Sequence, residues 1–313
     1  MKKIQKIHII GMGALGILYG SFFTEKLGKE AVAFIGDAKR LSRFERNGVF
    51  FGEERCDFRM VCGGTQEPCD LLIFAVKGTA LTEAMELCSC SVGEDTVIMS
   101  VLNGISSEEI LGARFGAQHL VYTVAQGMDA TKVGNRLTCR NCGELRIGVP
   151  AGGPFEKQQR DHLRRVRELF DRIGFPYTEE QDIAKRLYSK WMLNVGCNQT
   201  VMVNEGTYRT IQPGGAGRET FIAAMREALA VARADGVDLT EQDMEDYIAL
   251  IDTLSPDGMP SMRQDGLAER PSEVALFSGI LIEKSEIYGI DAPVNRALYR
   301  RIREIEGAYG KEG

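Results

Sequence analysis

Apolar runs of strand length alternate with helical stretches along the first half of the chain. Helices are predicted to end near Leu27 and near Asn47, and LLIFAV (71–76) is a fully apolar run of the kind found in buried parallel strands. This alternation predicts an α/β fold in which a doubly wound sheet forms the N-terminal part. The runs that predict strands are KIHII, AVAFI, LLIFAV, TVIMSV and HLVYTVA.

The second half of the chain has helical periodicity and no strand pattern after about Gln181. Thr240 suits a helix N-cap, Pro271 and Pro293 suit first helical turns, and Gly236 and Gly289 lie where helices are predicted to end. The stretch LSPDGMPSMRQDG is predicted to be a loop because it contains two prolines and two glycines. We therefore expect an α/β domain over 1–180 and an all-helical domain over 181–313. The helices are predicted at 182–204, 217–234, 240–254, 272–288 and 293–305.

Three glycines follow the first predicted strand in the spacing G-x-G-x-x-G. The first permits a tight turn, the second lets the backbone approach a pyrophosphate, and the third lets helix and strand pack closely. The N-terminus of the next helix stabilises the anion, as in Rossmann-type dinucleotide-binding domains. The residues predicted to bind the phosphates of a dinucleotide are Gly11, Met12, Gly13, Ala14, Leu15 and Gly16.

The end of the second predicted strand gives two opposite indications about the cofactor. Asp37 lies where an acidic side chain can accept hydrogen bonds from the ribose hydroxyls of NAD. Lys39, Arg40 and Arg43 follow it, and basic side chains there could hold the 2′-phosphate of NADP. In a third interpretation Asp37 caps the next helix and the basic residues face solvent. The pattern is therefore compatible with either NADP(H) or NAD(H) as the cofactor.

Polar residues recur at every fourth position of the predicted helix 182–204, at Lys190, Asn194 and Asn198. Steps of four turn a helix by about 40° and rise by about 6 Å, so these side chains form one stripe. An ammonium can donate a proton and polarise a carbonyl, and asparagine amides can orient a small polar substrate. In the alternative interpretation these three residues form a polar face in water. The apolar residues between them leave little room for such a face.

Histidines are the usual proton donors in carbonyl reduction by a nicotinamide dinucleotide, but the three in this chain are poorly placed. His8 lies inside the first predicted strand, His119 begins a later one, and His162 lies in a charged helix. Lys190 is therefore the better candidate. Since active sites of two-domain dehydrogenases lie in the cleft between the domains, we expect its stripe to face such a cleft.

Composition narrows the function further. A net charge of −6 without a basic patch makes nucleic acid an unexpected partner. Apart from the N-terminal run, no segment approaches the roughly 20 apolar residues of a membrane span. That run has a positively charged start like a signal peptide, but it is rich in glycine and lacks a clear cleavage site, so no export is expected.

Eight cysteines are scattered without the spacing of a disulfide framework, which indicates reduced thiols and a cytoplasmic protein. Cys139 and Cys142 form a single C-x-x-C. A structural zinc site usually needs two such pairs, so no metal site is predicted.

Several separated motifs resemble the ketopantoate reductases (2-dehydropantoate 2-reductases) over nearly the whole chain. GMGALG is similar to their phosphate loop, VKG with Lys77 to part of their cofactor site, and LNG with Asn103 to their Q-N-G. KWMLNVGCN is similar to their K-x-x-x-N-x-x-x-N helix, and PSMRQD with Ser261 to their S-S-M-x-Q-D loop. Glu273, eight residues after Asp265, falls where the family has a glutamate.

The resemblance implies reduction of 2-dehydropantoate, a small 2-oxo acid, to (R)-pantoate with NADPH in pantothenate biosynthesis. It implies that Lys190 is the general acid and that Glu273 hydrogen-bonds the substrate hydroxyl, although the residues alone would make Glu273 a first-turn acid of a helix. The implied substrate contacts are Asn103, Asn194, Asn198 and Ser261. The full cofactor-binding set is the glycine loop with Asp37, Arg40, Lys77 and Asn103.

Three positions depart from the family pattern. Asp37 stands where the family commonly has arginine, Leu102 replaces the glutamine of Q-N-G, and Pro260 replaces the first serine of the loop. Two alternatives therefore remain, a reductase of another small 2-oxo acid and a non-catalytic dinucleotide-binding protein. A second copy of the chain, in a homodimer, is the protein partner considered.

Overall fold

A computed structural model describes residues 2–310, and these form two compact units. The N-terminal unit comprises 2–102 and Ser106–Ile183. The C-terminal unit comprises Asn103–Ile105 and 184–310. The short segment Asn103–Ile105 therefore belongs with helices that follow it much later in the sequence, and Ile105 packs against their core.

The N-terminal unit contains twelve strands and five α-helices among the described residues. The strands are β1 (Ile7–Ile10), β2 (Val32–Gly36), β3 (Phe50–Phe51), β4 (Glu54–Arg55), β5 (Arg59–Cys62), β6 (Leu71–Phe74), β7 (Val97–Ser100), β8 (Tyr122–Met128), β9 (Thr131–Val133), β10 (Arg136–Thr138), β11 (Cys142–Gly148) and β12 (Tyr177–Glu179). The helices are α1 (Ala14–Leu27), α2 (Ala38–Asn47), α3 (Leu81–Leu87), α4 (Ser107–Phe115) and α5 (Glu156–Ile173).

Five parallel strands form the central sheet in the order β5-β2-β1-β6-β7. The chain starts at the central strand β1, builds one side with β2 and β5, and then builds the other side with β6 and β7. This is the doubly wound topology that the sequence predicts. Two further sheets, β12-β11-β8 and β4-β3-β10-β9, contain short strands that periodicity does not reveal, because two or three residues are too few to show alternation.

Alternate residues of the central strands enter two separate cores, one on each face of the sheet. Ile7 and Ile9 pack in the core that includes side chains of α1 and α5, whereas Ile10 packs in the core that includes side chains of α3 and α4. LLIFAV divides in the same way, with Ile73 in the first core and Phe74 in the second. Burial on both faces explains why these strands read as continuous apolar runs.

The C-terminal unit is helical in all the regular elements described between 184 and 310. Its helices enclose one apolar core whose largest fully buried side chains are Trp191, Phe221 and Phe277. No described helix is both long and apolar enough to cross a membrane. The helices are α6 (Ile183–Val203), α7 (Arg218–Ala234), α8 (Glu241–Thr253), α9 (Ser261–Leu267), α10 (Ser278–Tyr288) and α11 (Pro293–Gly307), with 3₁₀ turns at Tyr208–Thr210 and Val274–Leu276.

Local signals at the helix ends are largely confirmed. Thr240 caps α8 in a capping box with Asp243, Pro293 is the first residue of α11, and Gly289 ends α10 in the left-handed conformation. Pro271 is different, because it precedes a non-helical segment rather than beginning a helix.

Two predicted boundaries are wrong. The stretch predicted to be a loop contains α9 in its second half. The helix predicted over 272–288 is divided into the 3₁₀ turn Val274–Leu276 and α10, with Phe277 outside helical geometry at φ −100° and ψ −94°. In both places side chains distant in sequence contact the backbone, as described below, and local propensity contains no information about such contacts.

Candidate active site

The loop GMGALG joins β1 to α1 in the N-terminal unit and leaves the start of the helix open. Gly13 is the N-cap residue, no side chain caps the helix, and its first turn contains no acidic residue. The free N–H groups and the positive end of the helix dipole are therefore available to an anion. These features fit the diphosphate of a dinucleotide.

Two glycines of this loop are required by the protein's own packing. Gly11 has φ +108°, and a Cβ there would lie 2.5 Å from the Ala75 carbonyl oxygen. A Cβ at Gly16 would lie 1.9 Å from the Gly11 carbonyl oxygen. Gly13 differs, because its Cβ would meet nothing closer than the Ala75 carbonyl oxygen at 3.5 Å, an ordinary contact. The absence of a side chain at Gly13 is thus explained by access for a ligand rather than by internal crowding.

The predicted cofactor residue Asp37 follows β2 directly and caps α2. One carboxylate oxygen accepts a hydrogen bond from the Arg40 backbone N–H at 2.9 Å, and the other lies 3.4 Å from the Arg40 Nε. The Arg40 guanidinium also lies 3.4 Å from a Glu83 carboxylate oxygen. Arg40 is therefore placed between two carboxylates, which reduces the positive charge that it can present to a 2′-phosphate.

Lys77 lies three residues beyond the end of β6, the strand next to β1. Carboxyl ends of parallel strands meet at one edge of a sheet, so its backbone is at the same edge as the glycine loop. The side chain is half-buried. The structure thus brings together the predicted cofactor residues of the N-terminal unit at one edge.

In the C-terminal unit, Asn103 connects Lys190 with Glu273. The Lys190 ammonium donates to the Asn103 Oδ1 at 3.0 Å, and the Asn103 Nδ2 donates to a Glu273 carboxylate oxygen at 3.0 Å. These two contacts fix the orientation of the asparagine amide, since its oxygen faces a cation and its nitrogen an anion. Three residues predicted from separate motifs therefore form one hydrogen-bonded group.

The electrostatics of Lys190 suit a proton donor. Burial lowers the pKa of its ammonium to about 8, and the negative charge of Glu273 opposes that decrease. A general acid works best when its pKa is close to the operating pH, because it is then both protonated and able to release the proton. A lysine in water, with a pKa near 10.4, would hold its proton too strongly.

The other two residues of the stripe form a second group with Ser261. The Asn198 Nδ2 donates to the Asn194 Oδ1 at 3.2 Å. The Asn198 Oδ1 accepts from the Met262 backbone N–H at 3.1 Å and from the Ser261 hydroxyl at 3.3 Å. Asn198 thus caps the first turn of α9, whereas the Asn194 Nδ2 has no hydrogen-bond partner within 2–310 and is a donor that a substrate could use.

Trp191, the only tryptophan of the chain, ties the Lys190 turn of α6 to the segment that follows Glu273. Its indole N–H donates to the Leu276 carbonyl oxygen at 3.0 Å, and the side chain is 1% exposed. Leu276 also contacts the turn after Asn103, because a Cβ at Gly104 would lie 3.3 Å from the Leu276 Cβ. Leu276, three residues after Glu273, therefore lies against both the segment that carries Lys190 and the segment that carries Asn103.

Sequence reasoning treated Trp191 only as an apolar residue and missed this contact. It also missed the Met262 N–H and the Leu276 carbonyl, because backbone atoms carry no signal in a sequence. The one available sign was that the single tryptophan adjoins Lys190. A buried indole N–H usually finds a partner, so a nearby acceptor could have been expected.

The three histidines are buried in the N-terminal unit and have structural contacts. His8 contacts the Ser91 hydroxyl at 2.9 Å and His119 the Thr96 carbonyl at 2.8 Å. Burial lowers the pKa of His8 and of His162 to about 4, with Arg165 adding to the decrease at His162. The neutral, enclosed imidazoles of His8 and His162 are therefore poor proton donors at neutral pH.

Comparisons with known proteins follow the same division of the chain. Residues 7–151 match the family model described as ketopantoate reductase PanE/ApbA, and residues 182–306 match the model for the C-terminal part of that family. A curated 2-dehydropantoate 2-reductase of Aquifex aeolicus is 24% identical over 310 residues, covering 97% of this chain and 97% of the relative.

Solved structures share the fold along nearly the whole chain. D-mandelate dehydrogenase in a ternary structure with NADH and anilino(oxo)acetate has a TM-score of 0.84 at 17% identity, covering 97% of this chain and 99% of the other. A dimeric ketopantoate reductase from Staphylococcus aureus has a TM-score of 0.79 at 19% identity, covering 97% and 100%. At these identities the similarity shows the fold.

Proposed function

Because the chain belongs to the ketopantoate reductase family of oxidoreductases, we propose that it reduces 2-dehydropantoate to (R)-pantoate in pantothenate biosynthesis. The observation that carries the proposal is the Lys190–Asn103–Glu273 group, in which a lysine with a pKa of about 8 is oriented by an amide next to a carboxylate. This arrangement can protonate a carbonyl oxygen as it gains negative charge.

When bound at the glycine loop, a reduced nicotinamide would supply the hydride for the carbonyl carbon. Lys190 donates its proton to the carbonyl oxygen, which becomes the product hydroxyl, and is left as a neutral amine. Burial stabilises that neutral amine relative to the ammonium, so the proton is released readily. Glu273 has the opposite effect and keeps Lys190 protonated before the reaction.

Asn103 and Glu273 complete the reacting part of the site. Asn103 orients the lysine through its amide oxygen. Glu273 is proposed to accept a hydrogen bond from the hydroxyl of the substrate, for which a carboxylate oxygen is suited. Because Asn103 follows β7 of the central sheet and Lys77 follows β6, both are also proposed to contact the cofactor.

The substrate carboxylate is proposed to bind the second group on α6. The Asn194 amide supplies a donor, and the Ser261 hydroxyl supplies a second when its proton turns from the Asn198 Oδ1 to the substrate. The N-terminus of α9 adds the partial positive charge of a helix start. Asn198 acts mainly by fixing Ser261 and Met262. Its proposed effect on substrate binding is therefore partly indirect.

NADPH is the proposed reductant, supported by the family resemblance and by Lys39 and Arg40 beside the ribose position. NADH is a second candidate, favoured by the Asp37 carboxylate at the end of β2 and by the pairing of Arg40 with Asp37 and Glu83. Initial rates with each cofactor at equal concentration distinguish them. Preference for NADH would refute the NADPH proposal, and Asp37→Arg should then shift the preference towards NADPH.

A reductase of another 2-oxo acid is the second candidate function. Leu102 and Pro260 replace polar residues of the family pattern, and D-mandelate dehydrogenase, which shares the fold, was solved with anilino(oxo)acetate. The experiment is oxidation of the reduced cofactor, followed by absorbance, with a panel of 2-oxo acids. Turnover of 2-dehydropantoate above the others supports the first proposal, and preference for another acid supports the second. Turnover of none refutes both and supports a non-catalytic protein.

We also propose that the protein acts in the cytoplasm and forms a homodimer. The scattered cysteines support a reducing compartment. The Staphylococcus aureus relative is dimeric. Light scattering of the purified chain tests the dimer, since the monomer has a mass of 34.6 kDa.

A further inference from the structure

A cavity of about 380 Å³ lies in the N-terminal unit, away from the glycine loop. Its wall includes six residues of α1 between Leu18 and Glu25, whereas the loop is at the start of that helix. At 1.5 Å per residue, this part of α1 is roughly 8–18 Å along the helix from Gly13. The cavity has the size of a small-molecule site and is separate from the residues proposed for the dinucleotide phosphates.

The wall of this cavity is rich in aromatic side chains. Phe175 packs against Tyr19 with ring centroids 5.8 Å apart and against Phe22 at 5.0 Å, so these rings are held in place by each other. Faces of aromatic rings carry partial negative charge and attract cations. The aromatic residues of the wall are Tyr19, Phe22, Phe51, Phe58 and Phe175.

The charged groups of the wall are mostly acidic, with four carboxylates and one guanidinium. Glu25 and Asp57 form exposed pairs with Lys26 and Lys29, and such pairs exchange partners easily in water. Glu54 is exposed and has no ion-pair partner among residues 2–310. The fourth carboxylate, Glu144, pairs with Arg146 at 2.7 Å, so Glu54 is the wall carboxylate that remains to attract a cationic ligand.

Two hydroxyl groups in the wall lack partners. The Tyr19 Oη and the Thr24 Oγ1 are buried and have no hydrogen-bond partner within the described part of the chain. Tyr19 is 3% exposed, and burial raises the pKa of its hydroxyl far above the ordinary value, so it remains a donor. Buried donors without acceptors are costly and uncommon. Because each of these oxygens has less than 1 Å² of accessible surface, a ligand in the cavity would reach them only if side chains of the wall moved.

We propose that this cavity binds a small organic cation with an aromatic or branched apolar body, such as an arylalkylammonium. The apolar body would lie against the rings, and the ammonium would lie near the Glu54 carboxylate. The site does not depend on the proposed reductase function.

Isothermal titration of the full chain with 2-phenylethylammonium and with 3-phenylpropanoate tests the sign of the ligand charge, because the two probes carry the same ring and opposite charges. The ammonium should bind with Kd on the order of 1 mM or tighter. The carboxylate should bind at least tenfold more weakly. Equal affinity of the two probes would overturn the proposal. So would no detectable binding of the ammonium at about 10 mM, which is tenfold above the expected Kd.

Variants locate the binding. Glu54→Gln should weaken ammonium binding about two- to fivefold, the effect of an exposed ion pair. Glu53→Gln is the matched control, since Glu53 is its neighbour, is 93% exposed and is not part of the wall. Ser21→Leu should weaken binding by narrowing the cavity, and a thermal unfolding measurement confirms that the variant is folded. Unchanged affinity in a folded Ser21→Leu variant, or equal effects of the two glutamate variants, would contradict this location.

Gly13→Val should leave the affinity for 2-phenylethylammonium unchanged, because the glycine loop is a different site. A parallel loss of ammonium binding in Gly13→Val would show that the probe binds at the dinucleotide loop instead, and would refute the separate site.

Discussion

The glycine loop of the N-terminal unit and the polar groups of the C-terminal unit are assembled in different ways. The loop is one continuous segment in which backbone N–H groups and the helix dipole are presented by glycines. The polar groups use side chains, and their hydrogen bonds join residues 87, 170 and 63 positions apart in the chain. A backbone site can be built locally, whereas a site of converging side chains requires the completed fold.

This difference has consequences for mutation. A substitution in the loop acts through steric access, since no substitution other than proline removes a backbone N–H. A substitution in the polar groups removes a specific donor, acceptor or charge and leaves its partners unsatisfied. Variants in the two regions should therefore separate cofactor binding from chemistry.

Lys190→Ala should have the largest effect. Loss of a general acid lowers kcat by about 10²–10⁴, and dinucleotide affinity should be nearly unchanged. Steady-state kinetics and titration with the dinucleotide measure both. Lys185→Ala is a control on the same helix, because Lys185 pairs with Asp243 instead. Wild-type kcat in Lys190→Ala would refute the proton-donor role.

Gly13→Val should weaken dinucleotide binding by about 10- to 100-fold, the loss of one or more hydrogen bonds to a charged group. The unit should remain folded, because the backbone at Gly13 is extended and a Cβ there makes only ordinary contacts. Calorimetry gives the affinity and thermal unfolding the stability. Parent-like affinity in a folded variant would show that the loop does not hold the phosphates.

Asn194→Ala and Asn198→Ala should differ although the residues are one helical turn apart. Each should raise the substrate KM by about 5- to 100-fold through a lost hydrogen bond worth about 1–3 kcal/mol. Only Asn198→Ala should also lower the melting temperature clearly, because its Oδ1 caps α9. Identical melting temperatures would contradict the capping role.

The pH profile should show the lowered pKa of Lys190. Burial places that pKa at about 8, and the protonated form is the active one, so kcat/KM should fall about tenfold per pH unit above 8. At lower pH the lysine is fully protonated and this group should impose no further change. Lys190→Arg should move the decrease in kcat/KM to higher pH. If the profile of Lys190→Arg is the same as that of the parent, the decrease belongs to another group.

Trp191→Phe should give the smallest effect. It removes the N–H that bonds the Leu276 carbonyl and should lower stability by about 1–3 kcal/mol. If the contact positions the catalytic segments, kcat should also fall several-fold while dinucleotide affinity stays constant. Tyr188 lies on the same helix as Trp191 and donates a hydrogen bond to Asp235. Tyr188→Phe removes that bond and is the matched control. If the two variants have the same kcat, Trp191 has a structural role only.

Much of the fold could be predicted because its signals are local. The parallel strands are buried on both faces and so are apolar throughout, and Thr240, Gly289 and Pro293 set helix ends through their own conformations. The failures at α9 and at Val274–Leu276 have one cause. There, Asn198 and Trp191 bond to backbone groups that are distant in sequence, and local sequence carries no signal of such contacts.

The sequence by itself determined the glycine loop, the doubly wound order and the four-residue spacing of Lys190, Asn194 and Asn198, because turn geometry, burial and helical periodicity act over a few residues. Only the tertiary structure decided that Asn103 joins the C-terminal unit and bridges Lys190 to Glu273, and that Asn198 is engaged while Asn194 has a donor to offer. Those outcomes depend on which atoms converge in space, and desolvation of Lys190, which lowers its pKa, exists only once the surrounding helices have packed.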